Sequence, residues 1–176
     1  MTTKTTGTIK GFIFDLDGVI VFTDKLHYQA WKRMADRLGI AFDETVNNRL
    51  RGVSREESLD IILENAHGPA LGAEEKRRLA EEKNTYYREL LEELTPDAVE
   101  ENVKDTLVKL RQRGFKLAIG SSSKNAGLIL ERTGIAGLFD AVSDGNNIQR
   151  SKPDPEVFLK AAAFLGLEPA DCAVIE

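Results

Sequence analysis

The sequence predicts an α/β fold in which a parallel sheet carries an inserted helical segment. After Thr95, short apolar stretches alternate with stretches of helical periodicity, and strands separated in this way form parallel sheets with right-handed crossovers. An apolar run over 10–15 predicts a first strand of the same sheet, whereas Thr23 to about Leu94 shows helical periodicity only. We therefore expect a discontinuous Rossmann-like core of residues 1–22 and 95–176, with an all-helical cap domain of residues 23–94.

The predicted cap is a succession of amphipathic helices. Gly39 lies where glycine commonly ends a helix, and Ser54 with Glu57 three residues later is a capping-box pattern. A long charged helix is predicted over 74–94. In the first helix, apolar residues recur at a spacing of three to four, at Trp31, Met34, Ala35 and Leu38. In the long helix, the apolar side is predicted to consist of Leu79, Tyr86, Leu90, Leu91 and Leu94. These stripes indicate core packing, and the charged runs indicate solvated faces.

After a predicted linker at Thr95-Pro96-Asp97, the elements of the core follow in order. Gly114 ends one predicted helix, and Pro153 lies near the start of another. The predicted strands are 115–119, 139–142 and 173–175, and the predicted helices are 103–113, 124–132 and 154–165. Because ligands bind at the carboxyl ends of the strands in open α/β sheets, we expect the cap to cover a site there.

Composition excludes several classes of function. The 176 residues are 41% hydrophobic and 30% charged, as in soluble globular proteins, and the net charge of −5 argues against nucleic acid as the main partner. A single cysteine, Cys172, excludes an internal disulfide and fits a reducing cytosol. The polar segment 1–10 lacks the apolar region of a signal peptide, and no apolar stretch is long enough to span a membrane. We therefore expect a cytoplasmic protein without membrane partners.

The end of the first strand carries two carboxylates one residue apart, Asp15 and Asp17. Residues i and i+2 of a strand point to the same side, so both aspartates would face outward while Leu16 points into the core and Gly18 allows a sharp turn. Two neighbouring negative charges require a cation or a shared proton, and oxygen ligands suit Mg²⁺. The alternative is a strand that merely ends in the turn-forming residues Asp and Gly.

Polar residues suited to phosphate follow the other predicted strands. The second strand ends in 120–125, where hydroxyls and amides precede a helix, and Lys152 comes just before another helix. The last strand ends at Glu176. Taken singly, each has a simpler reading: a helix cap for Ser121 and Ser123, a solvated charge for Lys152 and a chain end for Glu176. Four such endings in order favour a functional site.

These four endings resemble the ordered motifs of the haloacid dehalogenase-like phosphotransferases over nearly the whole chain. Asp15-Leu16-Asp17-Gly18, Ser121, Lys152-Pro153 and the acidic residue after the last strand carry the resemblance. Further stretches are similar to the β-phosphoglucomutase family within that superfamily: 17–20, His27 with Ala30-Trp31, 51–59, Lys83-Asn84 and 121–125. The Gly-Val-Ser-Arg segment of the cap is the most discriminating of them, because the four motifs fit phosphatases equally well.

The resemblance implies catalytic roles for four residues. Asp15 is the expected nucleophile, forming an aspartyl phosphate, and Asp17 is the expected general acid and base. Ser121 and Lys152 would stabilise charge on the transferring phosphoryl group. Mg²⁺ would be held by the Asp15 side chain, the Asp17 backbone carbonyl and Glu176.

The resemblance also implies a substrate-binding set. Arg55 in the cap, with Ser123, Lys124 and Asn125 in the core, would bind the second phosphate of a sugar bisphosphate. His27 and Thr23 would orient Asp17. The alternative for His27 is a half-buried polar residue beside Trp31. Trp31 is better explained by packing within the cap than by stacking on the sugar. The full expected set is Thr23, His27, Trp31, Gly52, Val53, Arg55, Ser58, Lys83, Ser122, Ser123, Lys124 and Asn125.

Two features depart from the family pattern. Val21-Phe22 stands where the family commonly has Thr-Asp, so the hinge is more apolar here. The family continues after the position of Glu176 with an aspartate that completes the metal site, then a helix and more sheet. The resemblance therefore implies a fragment with one uncovered sheet edge. A chain that were whole at Glu176 would bind Mg²⁺ weakly and have low activity.

The function implied is an isomerase that moves a phosphoryl group between C1 and C6 of β-glucose through a bound 1,6-bisphosphate. A sugar-phosphate phosphatase, in which water attacks the same aspartyl phosphate, is the alternative within the superfamily. A non-catalytic phosphosugar-binding protein is a third reading, favoured by the absent aspartate. A monomer that acts on a small sugar phosphate is expected.

Overall fold

A computed structural model describes residues 8–51 and 53–176, which divide into two compact units. The core unit comprises the described residues up to Phe22 together with Leu94–Glu176, and the helical unit comprises Thr23–Glu93. In chain order the strands are β1 Gly11–Phe14, β2 Lys116–Gly120, β3 Ala141–Ser143 and β4 Cys172–Ile175. The helices are α1 Asp24–Arg37, α2 Glu44–Asn48, α3 Arg55–Leu63, α4 Ala73–Leu91, α5 Glu101–Gln112, α6 Ala126–Arg132 and α7 Glu156–Leu165.

The core unit is built on a four-stranded parallel sheet with the order β3-β2-β1-β4. This confirms the predicted α/β class. Ile13 of β1 and Ala118 of β2 pack against Ala161, Ala162 and Leu165 of α7 on one face of the sheet. Phe12 alternates with Ile13 and therefore lies on the other face, where its ring meets Phe115 edge to face at 5.0 Å.

Two predicted helices of the core unit begin later than expected. The segment predicted to be helical from Asp154 begins at Glu156, because Pro155 takes the N-cap position of α7. The segment predicted from Lys124 begins at Ala126, because hydroxyls of the preceding serines accept backbone N–H groups and hold residues 121–125 as a turn.

The helical unit has its own apolar core. α1, α3 and α4 contribute most of its buried side chains, namely Trp31, Met34, Ala35, Leu59, Ile62, Leu79 and Ala80, with Ile40 and Phe42 from the segment after α1. Gly39 ends α1 with a positive φ of 68°, and Ser54 and Glu57 form the predicted capping box at α3.

The buried side of α4 differs from the prediction: Leu90 is only partly buried, and the helix ends at Leu91, before Leu94. Tyr87 and Lys83 are buried, whereas Tyr86 is only partly buried and stacks under the Arg33 guanidinium at 3.8 Å. The buried stripe is therefore 79, 83, 87 and 91, a regular i, i+4 pattern with Ala80 beside it, and a charged lysine conceals this pattern in the sequence.

None of the helices in the described part of the chain is long and apolar enough to cross a membrane.

Candidate active site

The carboxyl ends of β1 and β4 bring Asp15 and Glu176 to the same edge of the sheet. Phe14 pairs in register with Ile175, and the Asp15 backbone N–H donates to the Ile175 carbonyl at 2.9 Å. The sheet order also reverses here, since β2 and β3 extend to one side of β1 and β4 lies on the other. Such a reversal opens a crevice beyond the strand ends, the usual ligand position in open α/β sheets.

Lys152 connects the two carboxylates. Its Nζ lies 2.9 Å from Asp15 Oδ1 and 2.9 Å from Glu176 Oε1, and 4.7 Å from the centre of the Phe158 ring. The Lys152 side chain is 19% exposed. A partly buried ammonium between two carboxylates offsets the repulsion that the two negative charges would otherwise have for each other. The structure therefore brings together three of the predicted residues.

The turn after β1 places Asp17 as the alternation of the strand requires. Leu16 is fully buried, whereas Asp15 and Asp17 on either side of it are partly exposed. The chain then turns at Gly18, whose φ is 86° and whose N–H donates to the Val21 carbonyl at 2.7 Å. Both aspartates are thus held by backbone contacts rather than by a flexible loop.

The turn after β2 carries the predicted Ser121–Asn125 set. Ser121 is 2% exposed, and its Oγ accepts the Ser123 N–H at 3.1 Å, while Ser123 Oγ accepts the Asn125 N–H at 3.2 Å. Asn125 is buried and Lys124 exposed. Ser122 Oγ is a buried hydroxyl for which no hydrogen-bond partner is present among the described residues. The hydroxyls of this turn first serve to shape it, and the role predicted for them stays a prediction.

A second turn, which was not predicted from the sequence, contacts the first. Gly145 donates its N–H to the Ser123 carbonyl at 3.2 Å, and a Cβ on Gly145 would lie only 2.4 Å from the Ser122 carbonyl oxygen. Asn146 Nδ2 donates to the Lys124 carbonyl at 2.9 Å. The run Asp-Gly-Asn-Asn at 144–147 was the available signal, because these residue types form turns.

In the helical unit, Lys83 is 3% exposed and lies among aromatic rings. Its Nζ is 2.8 Å from His27 Nδ1, 4.6 Å from the centre of the Trp31 ring and 4.8 Å from that of Tyr87. An ammonium has no acceptor, so Lys83 donates to the Nδ1 lone pair of His27. Trp31 packs in the core of the unit. His27, Trp31 and Lys83 were predicted site residues, but Tyr87 was not. The available signal for Tyr87 was its i, i+4 relation to Lys83.

His27 is held by stacking and by hydrogen bonding. Its ring stacks on Tyr87 at 4.0 Å, and the Tyr87 hydroxyl is 2.9 Å from the Thr23 hydroxyl in a buried contact. Burial, followed by the charges of Lys83 and Arg55, holds the pKa of His27 well below its usual range. His27 is therefore a neutral acceptor toward Lys83.

Arg55 is the first residue of α3, directly after the capping box at Ser54. Its guanidinium donates to Asn84 Oδ1 at 3.1 Å, and burial lowers the pKa of Arg55. Ser58, one turn further along α3, is buried, and Val53 is exposed. Gly52, also predicted to bind substrate, lies outside the described residues.

The donor atoms at the sheet edge suit a hard divalent cation. Within residues 8–51 and 53–176, no group of three or more His, Cys, Asp or Glu side chains is arranged to hold a metal ion. The side chains of Asp15 and Glu176 nevertheless converge on one cation, the Lys152 ammonium, and both offer only oxygen. An oxygen-only pair of this kind fits Mg²⁺ better than a softer metal.

The chain is thus an α/β protein with a parallel sheet, whose first strand ends in two aspartates, with a lysine held against the first of them. A sequence profile of the haloacid dehalogenase-like hydrolase family matches residues 9–176, and the chain belongs to that family.

Its relatives include both mutases and phosphatases. It is 44% identical to a beta-phosphoglucomutase of Bacillus subtilis (strain 168) over 96% of this chain and 75% of that protein. It is 29% identical to a phosphorylated carbohydrates phosphatase of Thermotoga maritima over 96% of this chain and 76% of that protein.

Among solved structures, a beta-phosphoglucomutase from Clostridium difficile superposes with a TM-score of 0.87 at 41% identity, covering 96% of this chain and 76% of that one. CbbY of Rhodobacter sphaeroides, solved with xylulose-(1,5)bisphosphate, superposes with a TM-score of 0.78 at 19% identity, covering 95% and 77% of the two chains. At that identity the second likeness concerns the fold alone.

Proposed function

We propose that the chain is a Mg²⁺-dependent phosphoryl-transfer isomerase that interconverts β-D-glucose 1-phosphate and glucose 6-phosphate. Family membership supports phosphoryl chemistry on an aspartate, and the higher identity to beta-phosphoglucomutase than to the phosphatase supports the isomerase. The observation that carries the chemistry is the 2.9 Å contact between Lys152 Nζ and Asp15 Oδ1.

In the proposed reaction, a carboxylate oxygen of Asp15 attacks the phosphorus of β-glucose 1,6-bisphosphate. The bond from phosphorus to the sugar oxygen breaks, and Asp17 gives its proton to that oxygen. The other half-reaction reverses this: Asp17 takes the proton from a hydroxyl of the sugar monophosphate, and that oxygen attacks the aspartyl phosphate. An exchange of the sugar's orientation between the two transfers completes the isomerisation.

Charge on the transferring group is the main demand of this chemistry. Lys152 and the hydroxyl of Ser121 would stabilise it. The Asp15 side chain, the Asp17 carbonyl and Glu176 would hold Mg²⁺, which when bound neutralises negative charge on the phosphoryl oxygens.

A bisphosphate intermediate needs a second phosphate site away from Asp15. Arg55 is a candidate because its planar guanidinium can bind phosphate in a bidentate manner, and Asn84 already orients it. Ser123, Lys124 and Asn125 stay predictions from the family resemblance. The remaining residues of the expected substrate set stay predictions.

A sugar-phosphate phosphatase is the second candidate. Several relatives that match nearly the whole of this chain are phosphatases, and they favour this candidate. One is a fructose-1-phosphate phosphatase of Escherichia coli, 29% identical over 94% of this chain. In this case water rather than a sugar hydroxyl attacks the aspartyl phosphate, so the two candidates share every residue around Asp15.

One assay separates the candidates. The chain is incubated with β-glucose 1-phosphate, Mg²⁺ and a trace of β-glucose 1,6-bisphosphate, and glucose 6-phosphate and inorganic phosphate are measured together. Glucose 6-phosphate as the main product supports the isomerase, and inorganic phosphate supports the phosphatase. Retained binding of the sugar phosphate without either product would overturn both in favour of a non-catalytic binding protein.

A further inference from the structure

The loop that carries Lys152 is held by a carboxylate at its far end. This loop, residues 144–155, connects β3 to α7, and none of its residues is buried. Polar contacts, rather than apolar packing, must therefore fix its course. Glu156, the first residue of α7, supplies several of them.

The Glu156 carboxylate faces back into the loop. Its Oε2 accepts the Arg150 N–H at 2.9 Å, and the Gln149 N–H lies 3.1 Å from Oε1 and 3.2 Å from Oε2. Lys160, one turn along α7, is 2.9 Å from Oε1 and also donates to the Asn147 carbonyl. Glu156 and Lys160 together thus hold the loop at 147, 149 and 150.

We propose that Glu156 is a positioning residue for Lys152. The backbone that Glu156 holds at Arg150 is two residues from Lys152, and α7 begins four residues after Lys152. Fixing both sides of so short a segment fixes the Cα of Lys152, which allows its flexible stem to present Nζ to Asp15 and Glu176. This proposal rests on the proposed function only in giving Lys152 a catalytic task.

The charge of Glu156 is permanent at working pH. Hydrogen bonds from Lys160 and from the backbone N–H groups of Arg150 and Gln149 lower its pKa to about 2. Its hold on the loop is therefore the same throughout the neutral range.

The alternative explanation is that Glu156 only stabilises the fold and does not position Lys152. A carboxylate in the first turn of a helix also stabilises that helix through the helix dipole. A control therefore needs an ion pair in the same unit that has no contact with the loop. Lys10 and Asp171 form such a pair at 2.7 Å. They directly precede β1 and β4, so the pair lies at the amino ends of these strands, whereas Lys152 lies at the carboxyl ends.

The test compares E156A and E156Q with D171N in the full chain. Lys152 is followed by trace acetylation with acetic anhydride and mass spectrometry, without substrate. Turnover is measured separately as kcat and KM. E156Q keeps the side-chain volume and one acceptor oxygen, so it tests the same contact with little risk to folding.

We expect E156A to change the acetylation of Lys152 at least about threefold and to lower kcat by about 10- to 100-fold, as a misplacement of about 1 Å can, with KM within about threefold. E156Q should fall between wild type and E156A. D171N should leave the acetylation of Lys152 and the turnover unchanged, even if it lowers the melting temperature.

The proposal is overturned when the Glu156 variants leave Lys152 acetylation at the wild-type level or alter it no more than D171N does. An inactive wild type would instead count against the proposed function alone, since the acetylation measurement needs no turnover and still decides the role of Glu156.

Discussion

Lys83 Nζ lies 2.8 Å from His27 Nδ1 inside the helical unit, with the Trp31 and Tyr87 rings on the other sides of the ammonium. Burial is the main reason why the pKa of His27 is lowered, and Lys83 adds to it, because a proton on Nδ1 would meet a positive charge and lose a hydrogen bond. Electrostatics thus links a buried lysine to the state of a histidine on the neighbouring helix α1.

K83M should raise the pKa of His27 toward its ordinary value. Burial would still lower the pKa, but the charge of Lys83, the second cause of the shift, would be gone. Titration of the histidine ring signals by NMR measures the change, with exposed His67 as an internal control. An unchanged or lower His27 pKa in K83M would contradict this account.

The stability of the helical unit should fall as the pH is lowered through the unfolded pKa of histidine, about 6.5. Because the pKa of His27 is lowered in the folded state, the unfolded state binds the proton first, and protonation favours unfolding. The slope is at most about 1.4 kcal/mol per pH unit, the limit for one proton.

Urea unfolding followed by Trp31 fluorescence reports on this unit, because Trp31 is the chain's one tryptophan and is buried there. H27N, which keeps an acceptor near the position of Nδ1, should flatten the pH dependence between about pH 5 and 7. H67N should keep the wild-type dependence. Equal curves for H27N and wild type would show that His27 does not cause it.

D15N should abolish phosphoryl transfer. An amide is a poor nucleophile and cannot form the acyl phosphate, so we expect kcat to fall by at least about 10³-fold and no covalent phosphoenzyme to form. Mass spectrometry after incubation with β-glucose 1,6-bisphosphate detects the adduct on the wild type, and circular dichroism checks the fold of the variant. Full turnover by D15N would refute the covalent route.

G120A should destabilise the core unit. Gly120 ends β2, and an added Cβ would lie 2.7 Å from Phe158 Cδ1 and 3.1 Å from Ile13 Cγ2. Overpacking of this kind costs about 1–3 kcal/mol and would disturb the turn at Ser121. Thermal unfolding by circular dichroism measures the loss.

G127A is the matched control, because nothing lies within 4 Å of a Cβ there. Gly127 is inside α6, so alanine should stabilise by about 0.5–1 kcal/mol. If G120A and G127A changed the melting temperature by the same amount in the same direction, the predicted clash with Phe158 at position 120 would be refuted.

S54A should weaken the start of α3. The Ser54 hydroxyl accepts the Glu57 N–H at 3.2 Å, and its loss should cost about 1 kcal/mol, as for other N-caps. Because Arg55 is the next residue, KM for the sugar phosphate should also rise. T85A, on the exposed side of α4, should lose no stability in the same urea assay, because alanine is a better helix former than threonine. A neutral S54A would mean that the cap contributes nothing measurable.

Local pattern was enough to predict the fold class and the order of the elements. The alternation of strands and helices, the capping box at Ser54 and the glycine after α1 depend on near neighbours in the chain, and the structure confirms each of them. The prediction of Asp15 and Lys152 as site residues used their places after a strand and before a helix together with the family resemblance, and their roles stay predictions.

Contacts between distant segments could not be predicted in this way. Lys83 is an ordinary charge in a charged sequence, and only the packing of α1 on α4 places it on His27 and the two rings. The hold of Glu156 on residues 149 and 150 depends on a loop whose path has no periodicity.

The sequence by itself determined that aspartates end the first strand of a parallel sheet, because strand and helix periods are local properties of the chain. Only the tertiary structure decided that one lysine joins Asp15 to Glu176, since this requires β4 to lie beside β1 at the reversal of the sheet order. Electrostatic interaction depends on distance in space, and that distance is set by the sheet rather than by separation along the chain.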